Sequence, residues 1–501
     1  MSRRNIRKIL IANRGEIALR IIRTCKEMGI KTVSVYSEAD RTAPHVFASD
    51  EACCIGPPPS RESYLVIERI IESALRTGAE AIHPGYGFLS ENPGFARAVR
   101  ESGLLFVGPS PEAIASMGDK TSARTLARKA GVPTVPGTEG TVSDVAEARA
   151  FSRQCGYPVL IKAAAGGGGK GMRIVTEEHD LPAALNAARS EAKSSFGDDR
   201  VYVEKYFQSP RHIEIQIVAD ARGNTIHLGE RECSIQRRHQ KVIEESPSVA
   251  VNESLRDRMG ETAIRVAKAC GYENAGTVEF LADGEGEFYF LEMNTRLQVE
   301  HPVTEFRTGL DLVALQIRIA GGEDLPLRQH QVRFSGHAIE CRICAEDVTN
   351  DFLPSTGTIS HLKPPSGPGI REDRGVDQGG EISIFYDSMI AKLISWGETR
   401  ADAIARLGRA LREYELLGVS TNIPLCLYVL EHPQFASGDF TTHFLQEHFS
   451  ADVLKPPDGL AGAAVAAVCA LLAEMQGRGA YASPGKLSSW LARRSDFMQG
   501  S

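Results

Sequence analysis

Two glutamates on neighbouring apolar runs are the first residues in this 501-residue chain that could do chemistry together. Glu279 lies between Val278 and Phe280, and Glu292 between Leu291 and Met293, so each carboxylate belongs to a strand-like run (277–281 and 288–293) and is expected to be partly buried. The intervening Asp283-Gly284-Glu285-Gly286 predicts a hairpin. With its reversal centred between Glu285 and Gly286, the two carboxylates fall directly opposite each other, where like charges destabilise a sheet unless a cation bridges them. Mg2+ takes one or two carboxylates plus phosphate oxygens, and Asn294 offers a neutral oxygen beside them. A pair of solvent-facing glutamates on an edge hairpin is the alternative.

A phosphate site is suggested independently. Gly166, Gly167, Gly168, Gly169, Lys170 and Gly171 follow an apolar strand, 158–162, that ends in Lys162. Glycines let backbone amides approach an anion closely, and the lysine adds a point charge beside them. The pattern is neither a Walker A nor a GxGxxG motif, so a surface loop stays open as a second reading. Two polar clusters follow: Gln236, Arg237, Arg238, His239, Gln240 and Lys241, then Arg296, Gln298, Glu300 and His301 before Pro302. Separately, each reads as a solvated loop. Together, an arginine fork, a lysine and a carboxylate are what clamping and deprotonating a small oxyanion such as bicarbonate requires, although sequence spacing does not bring them together. Cys341 and Cys344 form a C-x-x-C pair with no second pair, in a strand-like run, and Cys233 has no activating neighbour beyond His239; packing explains all three.

These residues need a scaffold. Runs at 8–12, 32–36, 80–83 and 104–107 read as strands alternating with helices at 16–28, 64–76 and 93–102, which predicts an open parallel α/β sheet with ligands at the strand C-termini. Pro133 and Pro136 punctuate a hinge. Beyond it come strands 158–162, 172–175 and 201–207, a helix at 181–194, and a half-buried strand on which His212, Glu214 and Gln216 share one face. A helix at 255–270, strands at 338–343 and 389–395, and helices at 400–416 and 423–432 complete an α+β lobe.

Sixty-four acidic against fifty-seven basic residues argue against nucleic-acid binding driven by charge. Ten scattered cysteines suggest free thiols in a reducing compartment. The apolar stretch at 9–12 is too short for a signal sequence, and the Ala-rich run at 460–473 is too short for a membrane span, so a cytoplasmic protein with no membrane partner is expected.

Six stretches can then be taken together: Ile11-Ala12-Asn13-Arg14-Gly15-Glu16-Ile17-Ala18, HPGYGFLSEN at 83–92, Met117-Gly118-Asp119-Lys120, the glycine loop, QRRHQK at 236–241 and EMNTRLQVEHPVT at 292–304. In one collinear order over about residues 4–450, they resemble biotin carboxylase. The resemblance implies an α/β protein with an N-terminal Rossmann-like (pre-ATP-grasp) domain at 1–118, an ATP-grasp domain at 119–330 whose glycine-loop lid spans about 134–206, and a C-terminal α+β lobe at 331–448. Residues 449–501 are then a helical tail, a candidate docking element. The implied reaction is ATP- and Mg2+- (or Mn2+-) dependent carboxylation of biotin N1′ by bicarbonate.

By the same resemblance, Lys120, Lys162 and the loop from Gly166 to Gly171 with Met172 contact ATP phosphates, while Glu204, Lys205, Phe207, His212, Gln236, His239 and Leu281 surround the nucleotide. Glu279 and Glu292 match metal ligands, with Asn294 beside them. Lys241, Arg296, Gln298 and Val299 match the bicarbonate clamp, Glu300 the base that deprotonates it, and Arg342 the stabiliser of the biotin enolate. Ala163-Ala164-Ala165 and Lys170 stand where relatives often carry serine, glycine and arginine. No Ala-Met-Lys-Met site occurs in the sequence, so biotin is expected on a separate biotin carboxyl carrier protein, with carboxyltransferase subunits as further partners and a homodimer as the assembly. An acyl-CoA carboxylase is the favoured setting and a pyruvate carboxylase the next; a carbamoyl-phosphate-forming ligase and a non-catalytic ATP-binding subunit are the remaining alternatives.

Overall fold

In the computed structural model the described residues are 4–164, 171–283 and 286–455; the glycine loop at 166–170 and the Ala-rich run at 460–473 lie outside them. The N-terminal segment alternates β1 (Lys8–Ile11), α1 (Gly15–Glu27), β2 (Lys31–Ser37), β3 (Glu51–Gly56), α2 (Ile67–Thr77), β4 (Ala81–His83), α3 (Pro93–Glu101) and β5 (Leu105–Phe106). They form a parallel sheet in the order β3-β2-β1-β4-β5. The edge strand β3 was not anticipated, because Glu51-Ala52-Cys53-Cys54 carries little apolar alternation. The expected helix at 64–76 begins only at Ile67. Tyr64 instead fills the core, stacked on Phe88 and donating to Asp40 at 2.6 Å.

The ends of β1 and β4 bring two motifs together: Asn13 Nδ2 donates to the carbonyls of Pro84 and Tyr86, each at 2.7 Å. Gly85 sits at φ +63°, and a Cβ there would meet Asn13 Nδ2 at 2.9 Å, so only glycine closes this turn.

Helices α4 (Pro111–Gly118) and α5 (Lys120–Lys129) follow. Asp119 caps α5 by accepting the Ser122 N–H at 2.7 Å, which fixes Lys120 as its first residue. A small antiparallel sheet comes next, with β6 (Val159–Ala163) between β7 (Arg173–Val175) and β8 (Val201–Lys205), backed by α6 (Val145–Cys155) and α7 (Leu181–Phe196). At Gly171, φ +72° and a virtual Cβ 2.9 Å from Ala163 Cβ again demand glycine.

The remaining strands build one antiparallel sheet. β9 (Arg211–Ala219), β10 (Thr225–Arg237), β11 (Gln240–Ser246), β12 (Asn274–Ala282), β13 (Phe288–Asn294) and β14 (His337–Cys344) join the strands Met389–Gly397 and Ile370–Arg374 in the order β13-β12-β9-β10-β11-β14-Met389–Gly397-Ile370–Arg374. The segments on either side of residue 330 thus share a single eight-stranded sheet. Val278, Phe280 and Ala282 of β12 and Ile213, Ile215 and Ile217 of β9 pack in one core with Leu255, Met259 and Ala263 of α8 (Glu253–Ala269). The Val, Ile, Leu, Phe and Met side chains of this row each contribute roughly 1.5–3 kcal/mol on burial, and a one-residue slip would turn the whole row outward, so the register is fixed.

β9 is buried on both faces rather than half-buried, with Glu214 and Gln216 fully enclosed, because its polar face meets further polar side chains instead of solvent. The helix expected at 400–416 ends at Glu413, where buried Tyr414 leads into the short strand Glu415–Leu417. Among the described residues no helix is long and apolar enough to cross a membrane.

Candidate active site

The polar face of the sheet lines up three carboxylates. Glu279 of β12 pairs with Glu214 of β9 on one side and with Glu292 of β13 on the other. The hairpin reaches this register through a bulge: Phe280 pairs with Phe290, Glu279 with Glu292, and Leu291 is the extra residue. The reversal centre expected between Glu285 and Gly286 therefore describes only the ladder beyond the bulge. Burial and the facing Glu279 charge push the Glu292 carboxyl above its usual range.

Cations answer this row from other elements. β10 and β11 are joined by the two-residue turn Arg238-His239, both at positive φ (48° and 66°), as a primed hairpin turn requires. That turn aims Lys241 inward. Its Nζ lies 2.6 Å from Glu214, 2.9 Å from Glu279 and 2.7 Å from Glu300. Burial opposes the ammonium charge, but the Glu214, Glu279 and Glu300 carboxylates outweigh it and hold the Lys241 pKa well above its usual value. Fully buried Arg231 bonds Glu214, Gln216 at 2.7 Å and Thr304 at 2.9 Å. His212 Nε2 donates to the ionised Glu279 at 2.8 Å, and Asn294 Nδ2 donates to Glu279 at 2.8 Å.

Glu300 stands at the N-cap of helix α9 (His301–Thr308), with Pro302 in the first turn, where the helix dipole favours a carboxylate. It is fully buried, one oxygen held by Lys241 and the other by Arg342 Nη2 at 2.9 Å. Burial raises its pKa, but Lys241, Arg342 and Arg231 prevail and keep it well below the usual carboxylate range, so it is ionised at neutral pH. Arg342 also donates to Glu244 at 2.6 Å, and burial pushes Glu244 up to about 7 even so. Arg296 is oriented by Glu91 at 2.9 Å, Gln298 at 2.8 Å and the Asn294 oxygen at 3.1 Å. Lys241 of the first polar cluster thus meets Glu300 of the second, whereas Arg237 and Arg238 turn to Asp351.

A cleft of about 2310 Å³ opens onto these groups. Lys241, Glu279, Glu292, Asn294, Arg296, Gln298, Val299 and Arg342 line it, while Glu300 lies just behind Lys241 and Arg342. Farther along the same cleft are Lys120, Lys162, Met172, Glu204, Lys205, Phe207, His212, Gln236, His239 and Leu281. Lys162 pairs with Glu204 at 2.8 Å, and despite burial that carboxylate pushes it up to about 12. Phe207 stacks on Tyr289 with centroids 5.0 Å apart. The ends of β1 and β4 supply Asn13, Arg14, Tyr86 and Phe88 to the opposite wall, the strand C-termini where a ligand was expected. Gly171 is not among the lining residues, and residues 166–170 are outside the described chain.

Glu91, Glu214, Arg231 and Glu244 were not singled out for these contacts. The available signals were Glu91 inside HPGYGFLSEN, Glu214 on the polar face of β9, and a charged run, Glu230-Arg231-Glu232, inside an otherwise apolar strand. Cys341 and Cys344 fall on opposite faces of β14, being three residues apart in a strand, so they do not form a two-thiol site. Cys233 is buried, and burial with the adjacent Glu214 charge pushes its thiol up, which leaves it unreactive.

The chain matches the family described as "Biotin carboxylase, N-terminal domain" over residues 5–114. It matches "Carbamoyl-phosphate synthase L chain, ATP binding domain" over 119–328 and "Biotin carboxylase C-terminal domain" over 340–447. It is 54% identical over 444 residues to biotin carboxylase 1 of Bacillus subtilis, covering 88% of this chain and 99% of that one. It is 51% identical over 475 residues to the propionyl-CoA carboxylase alpha chain of Ruegeria pomeroyi, covering 91% of this chain and 69% of the relative. The crystal structure of the biotin carboxylase domain dimer of Hydrogenobacter thermophilus 2-oxoglutarate carboxylase, in complex with MgADP, ADP and bicarbonate, superposes with a TM-score of 0.85 at 50% identity, covering 88% of this chain and 98% of that one.

Proposed function

This chain belongs to the biotin carboxylase family, and from that premise we propose that its cleft carboxylates biotin at N1′ with bicarbonate and ATP. The observation that carries the assignment of roles is Glu300, buried and ionised between Lys241 and Arg342. ATP lies along the cleft with its phosphates toward Lys120 and Lys162 and its base near Lys205, Phe207 and Leu281. Glu279 and Glu292 suit a divalent cation, since they face each other across the ladder and the Glu292 carboxyl is pushed up by burial and by the Glu279 charge. Mg2+ held there, with Asn294 beside it, would neutralise charge on the phosphates.

Bicarbonate is clamped by Lys241, Arg296, Gln298 and Val299. Its charge draws Lys241 away from Glu300, which strengthens Glu300 as a base for the bicarbonate proton. The oxygen so freed attacks the γ-phosphorus and expels ADP, giving carboxyphosphate. This splits to CO₂ and phosphate, the phosphate takes the N1′ proton, and Arg342 stabilises the enolate oxygen while N1′ attacks CO₂.

Biotin is presented on a biotin carboxyl carrier protein, carboxyltransferase subunits are the further partners, and the chain forms homodimers. An acyl-CoA is the favoured acceptor and pyruvate the alternative; relatives named for propionyl-CoA and for 2-oxoglutarate, at 51% and 50% identity, support a choice of acceptor made by the carboxyltransferase. Phosphate release by the purified chain with MgATP tests the reading: it should require bicarbonate and rise with free biotin. ATP binding without biotin-stimulated release would favour a non-catalytic ATP-binding subunit.

A further inference from the structure

Lys392 is fully buried in the strand Met389–Gly397, deep in the eight-stranded sheet. It pairs across the ladder with Arg342 on one side and Asp373 on the other, so its side chain rises on the face that carries the site. A lysine this enclosed is uncommon, and its ammonium needs acceptors to offset lost hydration. It has two. Nζ donates to the Val299 carbonyl at 2.8 Å and lies 3.3 Å from Glu16 Oε2, while the Tyr86 hydroxyl donates to the other Glu16 oxygen. The chain Tyr86–Glu16–Lys392–Val299 therefore ties two N-terminal motifs to the turn that carries Gln298 and Glu300. On the adjacent strand β14, Glu340 is fully buried with neither oxygen hydrogen-bonded, and the Lys392 charge acts on it and on Asp373 through space without a hydrogen bond to either.

Sheet stability does not call for this arrangement. An apolar side chain of similar length would fill the strand position, and replacing a buried ion pair by apolar groups is often neutral or stabilising. What the ammonium supplies is a donor fixed on the Val299 carbonyl. We propose that Lys392 is a positioning residue for the reaction: held by Glu16, it sets the turn Gln298-Val299-Glu300 so that the bicarbonate clamp and the proton acceptor face the cleft together. The proposal rests on the bicarbonate and base roles assigned above.

Lys392→Met and the double variant Lys392→Met/Glu16→Gln test it, since the glutamine can still accept from Tyr86 while the double variant removes the Glu16 charge together with the cation that faces it. In biotin-stimulated phosphate release, both variants should show a KM for bicarbonate raised about tenfold or more, with the KM for ATP within about twofold of the parent. The double variant should regain the melting temperature lost by the single one without regaining bicarbonate affinity. A double variant with the parental bicarbonate KM would overturn the proposal, as would equal rises in both KM values. A crystal structure of the double variant with residues 297–300 unmoved would overturn it as well. Absence of biotin-stimulated release in the parent chain would instead sink the functional reading, and the crystallographic comparison would then decide the positioning claim alone. Should the single variant fail to fold, the double variant carries the test.

Discussion

Glu300 concentrates the chemistry of the cleft because its two oxygens are taken by cations from different strands, Lys241 of β11 and Arg342 of β14. Those cations keep it ionised, and also make it a weak base until one of them is drawn elsewhere. Glu300→Gln removes the proton acceptor but preserves size and hydrogen bonding. The expected outcome is bicarbonate-dependent turnover reduced by about a hundredfold or more with MgATP affinity kept, as steady-state kinetics and equilibrium nucleotide binding would read. Turnover at the parental rate would take Glu300 out of the base role. Lys241 needs no such substitution to reveal its importance, since three carboxylates would lose their common partner without it.

Elements place these groups by register and by close backbone approach. The bulge at Leu291 keeps Glu292 opposite Glu279, and the Arg238-His239 turn aims Lys241 at both. A less visible contact sets the N-terminus of α1, which carries Glu16. Gly375 packs so tightly there that an added Cβ would meet the Glu16 backbone nitrogen at 2.5 Å and the Gly15 carbonyl carbon at 2.9 Å. Backbone atoms cannot swing aside as a side chain does. Gly375→Ala should therefore cost about 1–3 kcal/mol of stability, read as a lower thermal midpoint, and should raise the bicarbonate KM through Glu16. An unchanged midpoint would show that α1 can shift without loss.

At the scale of the whole molecule, pH acts on stability through buried titratable groups. His45 is fully buried with neither ring nitrogen hydrogen-bonded, and burial pushes its pKa down to about 4. The unfolded chain binds this proton from about pH 6.5 downward and the folded one only near 4, so the histidine removes stability as pH falls through that window. Buried carboxyls such as Glu244, pushed up to about 7, act in the opposite sense, so the parent curve alone does not isolate it. The difference from His45→Leu does. Its advantage over the parent should grow from about pH 6.5 to 4 and approach roughly 3 kcal/mol, followed by thermal midpoints across that range. A constant difference would mean that His45 is protonated in the folded protein.

The sequence alone carried the parallel N-terminal layer, the facing glutamates and the family, because each is written in local order: strand and helix periodicity, two glutamates around a turn, and six motifs in one collinear series. It also carried the residue types of the oxyanion clamp without their meeting. Glu279, Lys241, Glu300 and Arg342 lie on separate strands and a helix cap, and only the order of the eight-stranded sheet brings them within hydrogen-bonding distance. Glu214, Arg231 and Lys392 were harder to see for a related reason. A charged residue inside a strand looks like a solvent-facing position until the opposite face is known to be covered. Burial, and with it the ionisation that makes Glu300 a candidate base, is a property of what packs above the sheet, so the tertiary structure alone decided it.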